Sequence, residues 1–563
     1  MEDSAGQDEA LTEDPCGKIL PEDLSSSMQN DILLILSLLF GTLMLVMLGQ
    51  RLRISYPIFL VIAGLGLSFV PGIPHISVDP ELIFLIFLPP LLYEAAWFTS
   101  WSAFWKWRRV IAMLAFGLVF VTATAVAYVS SALIPGFTLA MGFLLGGIIS
   151  PPDALAATSV LRNIKVPKRL TAILEGESLV NDASSLIVFR FALAAIVSGQ
   201  FVLQDVIVQF FLAAGMGVIV GLAIAHVVYM IHRFLPTSSS IDVTLTLMTP
   251  YFMYMGAEQF HFSGVMAVVS GGLFLSYRSH EILSNGATRM QANGVWSTTT
   301  FVLNALVFIL IGLELPVVIE GLESYSRGDL VMYALVISAV AIVVRLLWVF
   351  PLAYVPIWFK NRVRADNVNP TWKGPLIIGW AGMRGVVSLA SALSVPLLLN
   401  EQTPFPHRNL ILFLTFVVIL VTLVFQGLTL PWLIRWVKIL ESDKELPEGQ
   451  QEAGIQIRLK KVALSLLQEK FAHDISENEL VGLLKNNLES DVSEAQQRLD
   501  SLECDTMAQE EIDRYHEVLQ ALYAQQRKEL FMLRKEKAFS DEVIRKQELQ
   551  LDLDETKISN HTH

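Results

Sequence analysis

The feature that most constrains this chain is a run of 43 residues, 110–152, that contains no charged side chain. One transmembrane helix needs about 20 predominantly apolar residues, and Pro135-Gly136 interrupts the run near its middle. The run is therefore long enough for two membrane-spanning helices. Comparable apolar stretches recur between residues 31 and 440, so the sequence predicts an all-α polytopic membrane protein.

The distribution of charge supports this class. Charged residues make up 17% of the 563 residues, whereas soluble globular proteins average about 25%. Residues 1–30 carry 8 acidic and 1 basic side chains and residues 441–563 carry 27 and 16, which leaves 18 and 23 for residues 31–440. The net charge of −13 thus comes from two polar tails. A soluble enzyme is a poor fit, and a nucleic-acid partner is not expected because it would need a basic stripe on a soluble surface.

Three domains are predicted: an extracytoplasmic acidic tail (1–30), a transmembrane domain (31–440) and a cytoplasmic helical tail (441–563) that regulates the protein or contributes to dimerisation. The composition predicts thirteen transmembrane helices, at residues 31–50, 56–70, 80–98, 109–134, 138–160, 170–198, 203–231, 241–259, 263–278, 294–319, 330–357, 374–399 and 409–438.

Loop charges orient the predicted helices. With the N-terminus outside, 18 basic residues fall at cytoplasmic ends and only Arg327 and Arg408 fall in the opposite loops. Cytoplasmic loops of membrane proteins carry such an excess of Lys and Arg, so the C-terminus is predicted to be cytoplasmic. Thirteen helices also divide into two inverted six-helix repeats joined by one linker helix, a frequent transporter plan.

Two predicted helices at matching positions of the repeats contain helix breakers. The span 138–160 contains Pro151-Pro152, and the span 374–399 contains Gly382, Gly385 and Pro396. Interrupted helices at corresponding positions point to a binding site near the middle of the membrane. Asp153 follows the Pro pair directly, so its carboxylate and nearby carbonyl oxygens are predicted to face one cavity, with oxygen ligands of the kind that hard cations prefer.

The segment from Glu175 to Asp182 is the densest group of polar residues in a predicted span. Ser178 and Asp182 are four residues apart and share one helical face, while Glu177 is offset around the helix. Arg384 is a lone cation on a broken helix that needs a buried counter-ion, for which Glu177 is the candidate. Charges interpreted as structural or interfacial are Arg190, Glu258, Glu314 and Arg345.

Four motifs resemble those of sodium/proton exchangers in the monovalent cation/proton antiporter superfamily, in the branch with Asn-Asp in the ion-site helix. They are Phe87-Leu-Pro-Pro-Leu-Leu-Tyr-Glu94, Ser150-Pro-Pro-Asp153, Glu177-Ser-Leu-Val-Asn-Asp182 and Gly382-Met-Arg-Gly385. The chain departs from the pattern at Pro151-Pro152, where many relatives have Thr-Asp-Pro, and this leaves the carbonyl ligand open.

The resemblance implies two helix bundles with crossed broken helices, and a homodimer in the membrane lipid. It implies that Asp182 binds the ion and the proton, that Asp153 and Ser178 complete a Na⁺ site, and that Asn181 lies beside it. It further implies that Glu94 is an acid that touches the ion site, and that Glu177 and Arg384 form a structural ion pair. The Pro152 backbone carbonyl is the candidate backbone ligand of the ion.

A buried carboxylate is stable either protonated or beside a cation, so Asp182 is expected to hold H⁺ or Na⁺ alternately. The expected function is Na⁺ (or Li⁺)/H⁺ antiport by alternating access in the plasma membrane, with no cofactor and no enzymatic activity. Electroneutral exchange is expected because the Asn181 side chain cannot titrate. Alternatives are a K⁺/H⁺ antiporter, a cation channel and an organic-solute symporter; a membrane enzyme fits least. A regulatory partner is a further expectation for the cytoplasmic tail.

Overall fold

A computed structural model describes residues 21–52, 54–70, 80–161, 164, 166–199, 203–283, 285–313, 318–319, 321–322, 325–363, 372–400, 403–438, 448–503, 507–536 and 541–559. Contacts divide the chain into two compact units, Met1–Glu441 and Ser442–His563. The first unit carries the apolar helices, and each unit is described by itself below.

The described residues of the first unit form helices and one small hairpin. Its helices, in chain order, are α1 Pro21–Arg51, α2 Tyr56–Ser68, α3 Pro80–Phe98, α4 Trp101–Ala112, α5 Val119–Leu133, α6 Leu139–Ile149, α7 Ala154–Leu161, α8 Lys168–Ser198, α9 Leu203–Phe234, α10 Ser239–Glu258, α11 Gly264–Tyr277, α12 Ser279–Ile282, α13 Gly286–Leu313, α14 Arg327–Val363, α15 Lys373–Trp380, α16 Val386–Leu393, α17 Arg408–Val421 and α18 Gly427–Val437. Short π-helical turns, Met113–Leu118 and Thr422–Gln426, join α4 to α5 and α17 to α18.

These helices confirm the all-α polytopic class. Each of the thirteen predicted spans overlaps one helix or one interrupted helical run of the described residues. Within the described residues, eight helices or helical runs have the length and apolar composition needed to cross a membrane, and three shorter ones are apolar. The number of crossings and the inverted repeat remain predictions. The interpretation of Glu314 as a structural or interfacial charge also remains one, because Glu314 lies outside the described residues.

The predicted C-terminal boundary of the span 374–399 is wrong. Helix α16 ends at Leu393, and a two-stranded antiparallel hairpin follows, with strands β1 Leu398–Asn400 and β2 Thr403–Pro404. Pro396 explains the early end, because proline lacks the N–H of a helical hydrogen bond and disfavours helical backbone at the residue before it.

The two predicted interruptions are real, and they touch each other. The first separates α6 from α7 at Ser150–Asp153, and the second separates α15 from α16 at residues 381–385. The Asp153 backbone N–H donates to the Met383 carbonyl at 2.7 Å. Buried aliphatic side chains from both broken helices and from α2, α8 and α13 form one hydrophobic cluster around this crossing. The crossing brings the freed backbone groups of both helices into the protein interior, where irregular backbone is tolerated in a membrane protein.

Helix α8 runs uninterrupted beside the crossing. It begins after Pro167 and ends at Gly199, whose φ of 68° lies in the left-handed region that glycine adopts without steric cost. Its middle is buried, which is unusual for a helix with this many polar residues. Those residues therefore face other protein groups or an internal cavity.

Helix α13 packs unusually closely against α2. A Cβ at Gly312 would lie 2.5 Å from the Leu65 backbone nitrogen and 2.6 Å from the Val61 carbonyl oxygen. Because both obstacles are backbone atoms, neither helix can yield locally. The contact fixes where α13 lies relative to the rest of the unit.

Gly312→Ala is expected to lower the free energy of unfolding by about 1–3 kcal/mol, because the added methyl overpacks this contact. Gly294→Ala on the same helix is the matched control, since nothing lies within 4 Å of its Cβ position. The free energy of unfolding of the control is expected to stay unchanged or to rise by up to about 1 kcal/mol, because alanine has the higher helix propensity. Denaturant titrations in detergent, followed by tryptophan fluorescence, measure both; equal stability of the two variants would contradict the packing argument.

The second unit is also helical. It contains α19 Glu448–Lys470, α20 Ala472–Glu477, α21 Glu479–Glu503, α22 Met507–Glu536 and α23 Asp541–Ser559. Helices α19 and α21 pack against each other, with Ala453, Ile457 and Ala495 buried.

Candidate functional site

The face of α8 predicted to carry the site lines an internal cavity. Ser178 and Asp182 both border a cavity of about 690 Å³, together with Asp153. Asp182 is 7% exposed. The four-residue spacing thus places both side chains on one wall, as the sequence predicts.

The first break is held against α8 by side-chain hydrogen bonds. The Asn181 amide donates to the Pro152 carbonyl at 2.9 Å, and the Ala154 N–H donates to the Ser178 hydroxyl at 3.1 Å. Asp153 accepts from the Leu155 N–H at 2.8 Å and so caps the first turn of α7. These bonds compensate the backbone groups that Pro151-Pro152 leaves unpaired.

Two of the predicted ion-site groups, the Pro152 carbonyl and the Asn181 amide, are therefore hydrogen-bonded to each other. The Pro152 carbonyl accepts from Asn181, which leaves it one lone pair for a cation. Asn181 is fully buried, and its amide oxygen has no hydrogen-bond partner in the described structure. Asn181 thus positions the break and does not border the cavity itself.

The second break presents a glycine to the Asp153 carboxylate. A Cβ at Gly385 would overlap the Asp153 Oδ2, Cγ and Cβ atoms. Gly385 also borders the cavity. The absence of a side chain at this position lets the carboxylate of one broken helix lie against the backbone of the other.

The predicted ion pair between Glu177 and Arg384 is wrong in this structure. Glu177 instead forms a bidentate pair with Arg345 of α14, at 2.5 and 2.8 Å. Glu177, Arg345 and Arg384 are each 1% exposed. Arg345 Nε also donates to the Ile378 carbonyl at 3.1 Å.

Arg384 donates to the Ser150 carbonyl. The reason lies in the break, because the carbonyls at the end of α6 have no intrahelical partner and accept from a cation nearby. Arg384 therefore holds the first break, while Arg345, interpreted from the sequence as structural, neutralises Glu177.

The remaining acids divide between the cavity and the surface. Glu94 and Glu175 border the cavity. Glu258 pairs with Arg190 at 2.7 Å near the surface, with side chains 29% and 45% exposed. Its interpretation as a structural charge agrees with this placement.

Sequence reasoning missed a row of polar residues on α13. Asn293, Ser297, Thr300 and Asn304 all border the cavity, and we call them the polar row. Their spacing of four, three and four residues is that of one helical face. Three of the four lie inside the predicted span 294–319, so their spacing was a readable signal there.

The electrostatic character of the cavity is uniform. Four carboxylates border it, from Glu94, Asp153, Glu175 and Asp182, and no Lys, Arg or His is among its described lining residues. Hydroxyl, amide and carboxylate oxygens are ligands that hard monovalent and divalent cations accept. The volume is large enough for several water molecules. The cavity is therefore suited to a cation.

Comparisons with known proteins indicate the family. Residues 35–436 match the family model described as "Sodium/hydrogen exchanger, transmembrane". A "Sodium, potassium, lithium and rubidium/H(+) antiporter" of Bacillus pumilus is 35% identical over 389 residues, which cover 67% of this chain and 57% of that protein. The similarly named Bacillus subtilis protein is 34% identical over 71% of this chain and 61% of its own length. The chain thus spans about three fifths of these relatives.

Other relatives are matched over more of their length. The "Na(+)/H(+) antiporter ApNhaP" of Aphanothece halophytica is 32% identical over 72% of this chain and 74% of its own length. Among solved structures, the sodium proton antiporter MjNhaP1 from Methanocaldococcus jannaschii shares the fold, with a TM-score of 0.57 and 18% identity over 71% of this chain and 99% of that one.

Proposed function

This chain belongs to the sodium/hydrogen exchanger family, and on that premise we propose that it exchanges Na⁺ for H⁺ across a membrane as a secondary active antiporter. The observation that carries the proposal is the cavity beside the crossed breaks, which is bordered by four carboxylates and, among described residues, by no basic side chain. A cavity of this charge attracts cations and excludes anions.

Asp182 is the group on which exchange depends in this proposal. It is 7% exposed and shares its cavity with Asp153, so two neighbouring carboxylates cannot both remain bare in a medium of low dielectric. A proton or a cation neutralises Asp182, and the two ligands compete for it. If the protein changes its accessible side only when this charge is neutralised, each proton that crosses is matched by a cation that crosses the other way.

The proposed exchange is electroneutral, with one proton for each Na⁺. Asn181 stands beside Asp182, and its amide cannot release a proton. The site therefore offers one exchangeable charge at this position. A transport rate that changes with an imposed membrane potential would contradict this stoichiometry.

Replacing Asp182 by asparagine tests the proposal. We expect Asp182→Asn to abolish cation-driven proton flux in liposomes that contain the purified protein and a trapped pH dye, because the amide cannot exchange H⁺ for Na⁺. Asp329→Asn is the matched control, since Asp329 is exposed at the start of α14 and does not border the cavity. Unchanged flux in Asp182→Asn, or a cation current without proton movement, would refute antiport through this residue.

The same assay addresses the second candidate, K⁺/H⁺ exchange. The names of the two Bacillus relatives include potassium, lithium and rubidium, which favours testing K⁺ and Li⁺ gradients beside Na⁺. Proton flux driven by K⁺ as well as by Na⁺ would make this chain a broad monovalent cation antiporter.

The proposal places the protein in the plasma membrane as a homodimer that serves pH and sodium homeostasis, with its N-terminus outside. The excess of basic residues at one set of loop ends supports this orientation. Residues 442–563 form a separate compact unit, which is consistent with a regulatory or dimerisation domain in the cytoplasm. Accessibility of single introduced cysteines to an impermeant reagent tests the orientation.

A further inference from the structure

The polar row on α13 changes in exposure along its length. Asn293 and Ser297 are exposed, whereas Thr300 is 7% and Asn304 is 3% exposed. Since all four side chains border one cavity, the row runs from the open mouth of the cavity to its buried end. Helix rise of about 1.5 Å per residue makes the row roughly 16 Å long.

A third polar side chain joins the buried end. Ser388 lies in the first turn of α16, three residues after Gly385, and is 1% exposed. It borders the same cavity. We call Thr300, Asn304 and Ser388 the deep trio.

Each member of the deep trio has a buried polar atom that has no hydrogen-bond partner among the described residues. These atoms are the Thr300 hydroxyl, the Asn304 amide nitrogen and the Ser388 hydroxyl. Buried polar groups are normally hydrogen-bonded because an unmade bond destabilises the folded protein. Three such groups around one cavity indicate that the contents of the cavity are their partners: water for the Asn304 amide nitrogen, and water or a bound cation for the two hydroxyl oxygens.

We propose that the deep trio completes the coordination of the cation held by Asp153 and Asp182, directly or through one water, and sets the preference among monovalent cations. This inference rests on the proposed antiport function. Ser and Thr hydroxyl oxygens are neutral ligands for hard cations, and an Asn amide presents its oxygen after a half-turn of the group. Neutral ligands adjust affinity and size selection without changing the number of titrating charges. The proton stoichiometry would therefore stay with the carboxylates.

The position of α13 adds to the argument. It is held against α2 through the backbone contact at Gly312, whereas Asp153 and Asp182 belong to the broken helix and to α8. Ligands from α13 approach the ion from a different element than the carboxylates do. A cation too large or too small for the distance between these elements loses either the carboxylates or the α13 members of the trio, Thr300 and Asn304.

The test replaces each trio member by an apolar side chain of similar size: Thr300→Val, Asn304→Leu and Ser388→Ala. Two unpartnered buried hydroxyls that do not border the cavity provide matched controls, Thr122→Val and Thr415→Val. We measure proton flux in liposomes against Na⁺, Li⁺ and K⁺ concentration. Thr300→Val and Asn304→Leu are expected to raise KM for Na⁺ by about tenfold, the effect of one lost contact of ordinary strength, and to change the Na⁺/K⁺ ratio of KM values. Both controls should stay within about twofold.

A binding measurement separates ligand loss from misfolding. Na⁺ that binds the folded state raises its unfolding temperature, so each variant is melted in detergent with and without NaCl at constant ionic strength. The proposal is supported by trio variants that fold as the controls do but whose unfolding temperature rises less with Na⁺ than that of the wild-type protein. Wild-type KM values, wild-type ion preference and an undiminished shift in all three variants would overturn it while leaving antiport intact. Absence of cation-driven proton flux in the wild-type protein would instead overturn the proposed function and the trio with it.

Discussion

Replacing Glu177 with glutamine is expected to lower the free energy of unfolding by about 3–5 kcal/mol, because removal of one partner leaves a buried charge without compensation. Glu177 is the only carboxylate that the described structure pairs with Arg345, and both side chains are 1% exposed. Arg384 is a second buried cation nearby. Loss of the Glu177 charge therefore leaves two buried arginines without this carboxylate. Denaturant titration in detergent, followed by tryptophan fluorescence, measures the loss.

Two controls make this result specific. Glu258→Gln breaks the ion pair with Arg190, whose side chains are 29% and 45% exposed, and exposed pairs contribute about 0–1 kcal/mol. The double variant Glu177→Leu with Arg345→Met removes both charges and is expected to regain much of the stability, since apolar replacements of buried pairs are often neutral. Equal destabilisation by Glu177→Gln and Glu258→Gln would show that the Arg345 pair is not what stabilises this region.

Gly385→Ala is expected to reduce cation-driven proton flux by roughly 100-fold, the scale of effect that a displacement of about 1 Å has on a group that must meet its ligand. The added methyl would occupy the position of the Asp153 carboxylate. Either the carboxylate or the backbone of the second break must then move, and both border the cavity. Flux in liposomes at saturating and low Na⁺ measures the change.

Gly374→Ala is the matched control, because it lies on the same broken helix but its Cβ would meet its nearest neighbour, Arg169 Nη2, at an ordinary 3.5 Å. This variant should transport Na⁺ like the wild-type protein. Gly385→Ala with wild-type flux would mean that the Asp153 carboxylate does not need its present position.

The broken helices show where local patterns suffice. Proline in a helix removes a backbone donor, and two glycines around an arginine weaken a short helix. These are properties of the residues themselves, so Pro151-Pro152 and Gly382 to Gly385 located both interruptions correctly. The small error at 394–399 has the same origin, because Pro396 ends the helix earlier than the apolar composition suggests.

The partners of buried charges show where local patterns fail. Residue spacing placed Glu177 off the face of Asp182, and the structure agrees. Residue spacing did not identify Arg345 of α14 as the ion-pair partner of Glu177. Two arginines were available, and helix packing decides which of them approaches Glu177. The polar row on α13 was missed for a related reason, since hydroxyl and amide groups carry no charge that marks them in an apolar helix.

The sequence by itself therefore determined the membrane class, the positions of the apolar helices, the two breaks and the shared face of Ser178 and Asp182. Each follows from properties that act within a few residues: transfer of side chains from water, helical periodicity and the backbone limits of proline and glycine. Only the tertiary structure decided that Glu177 pairs with Arg345, that Gly385 receives the Asp153 carboxylate, and that α13 forms a wall of the cavity. These contacts join residues far apart in the chain, and close packing of whole helices selects them.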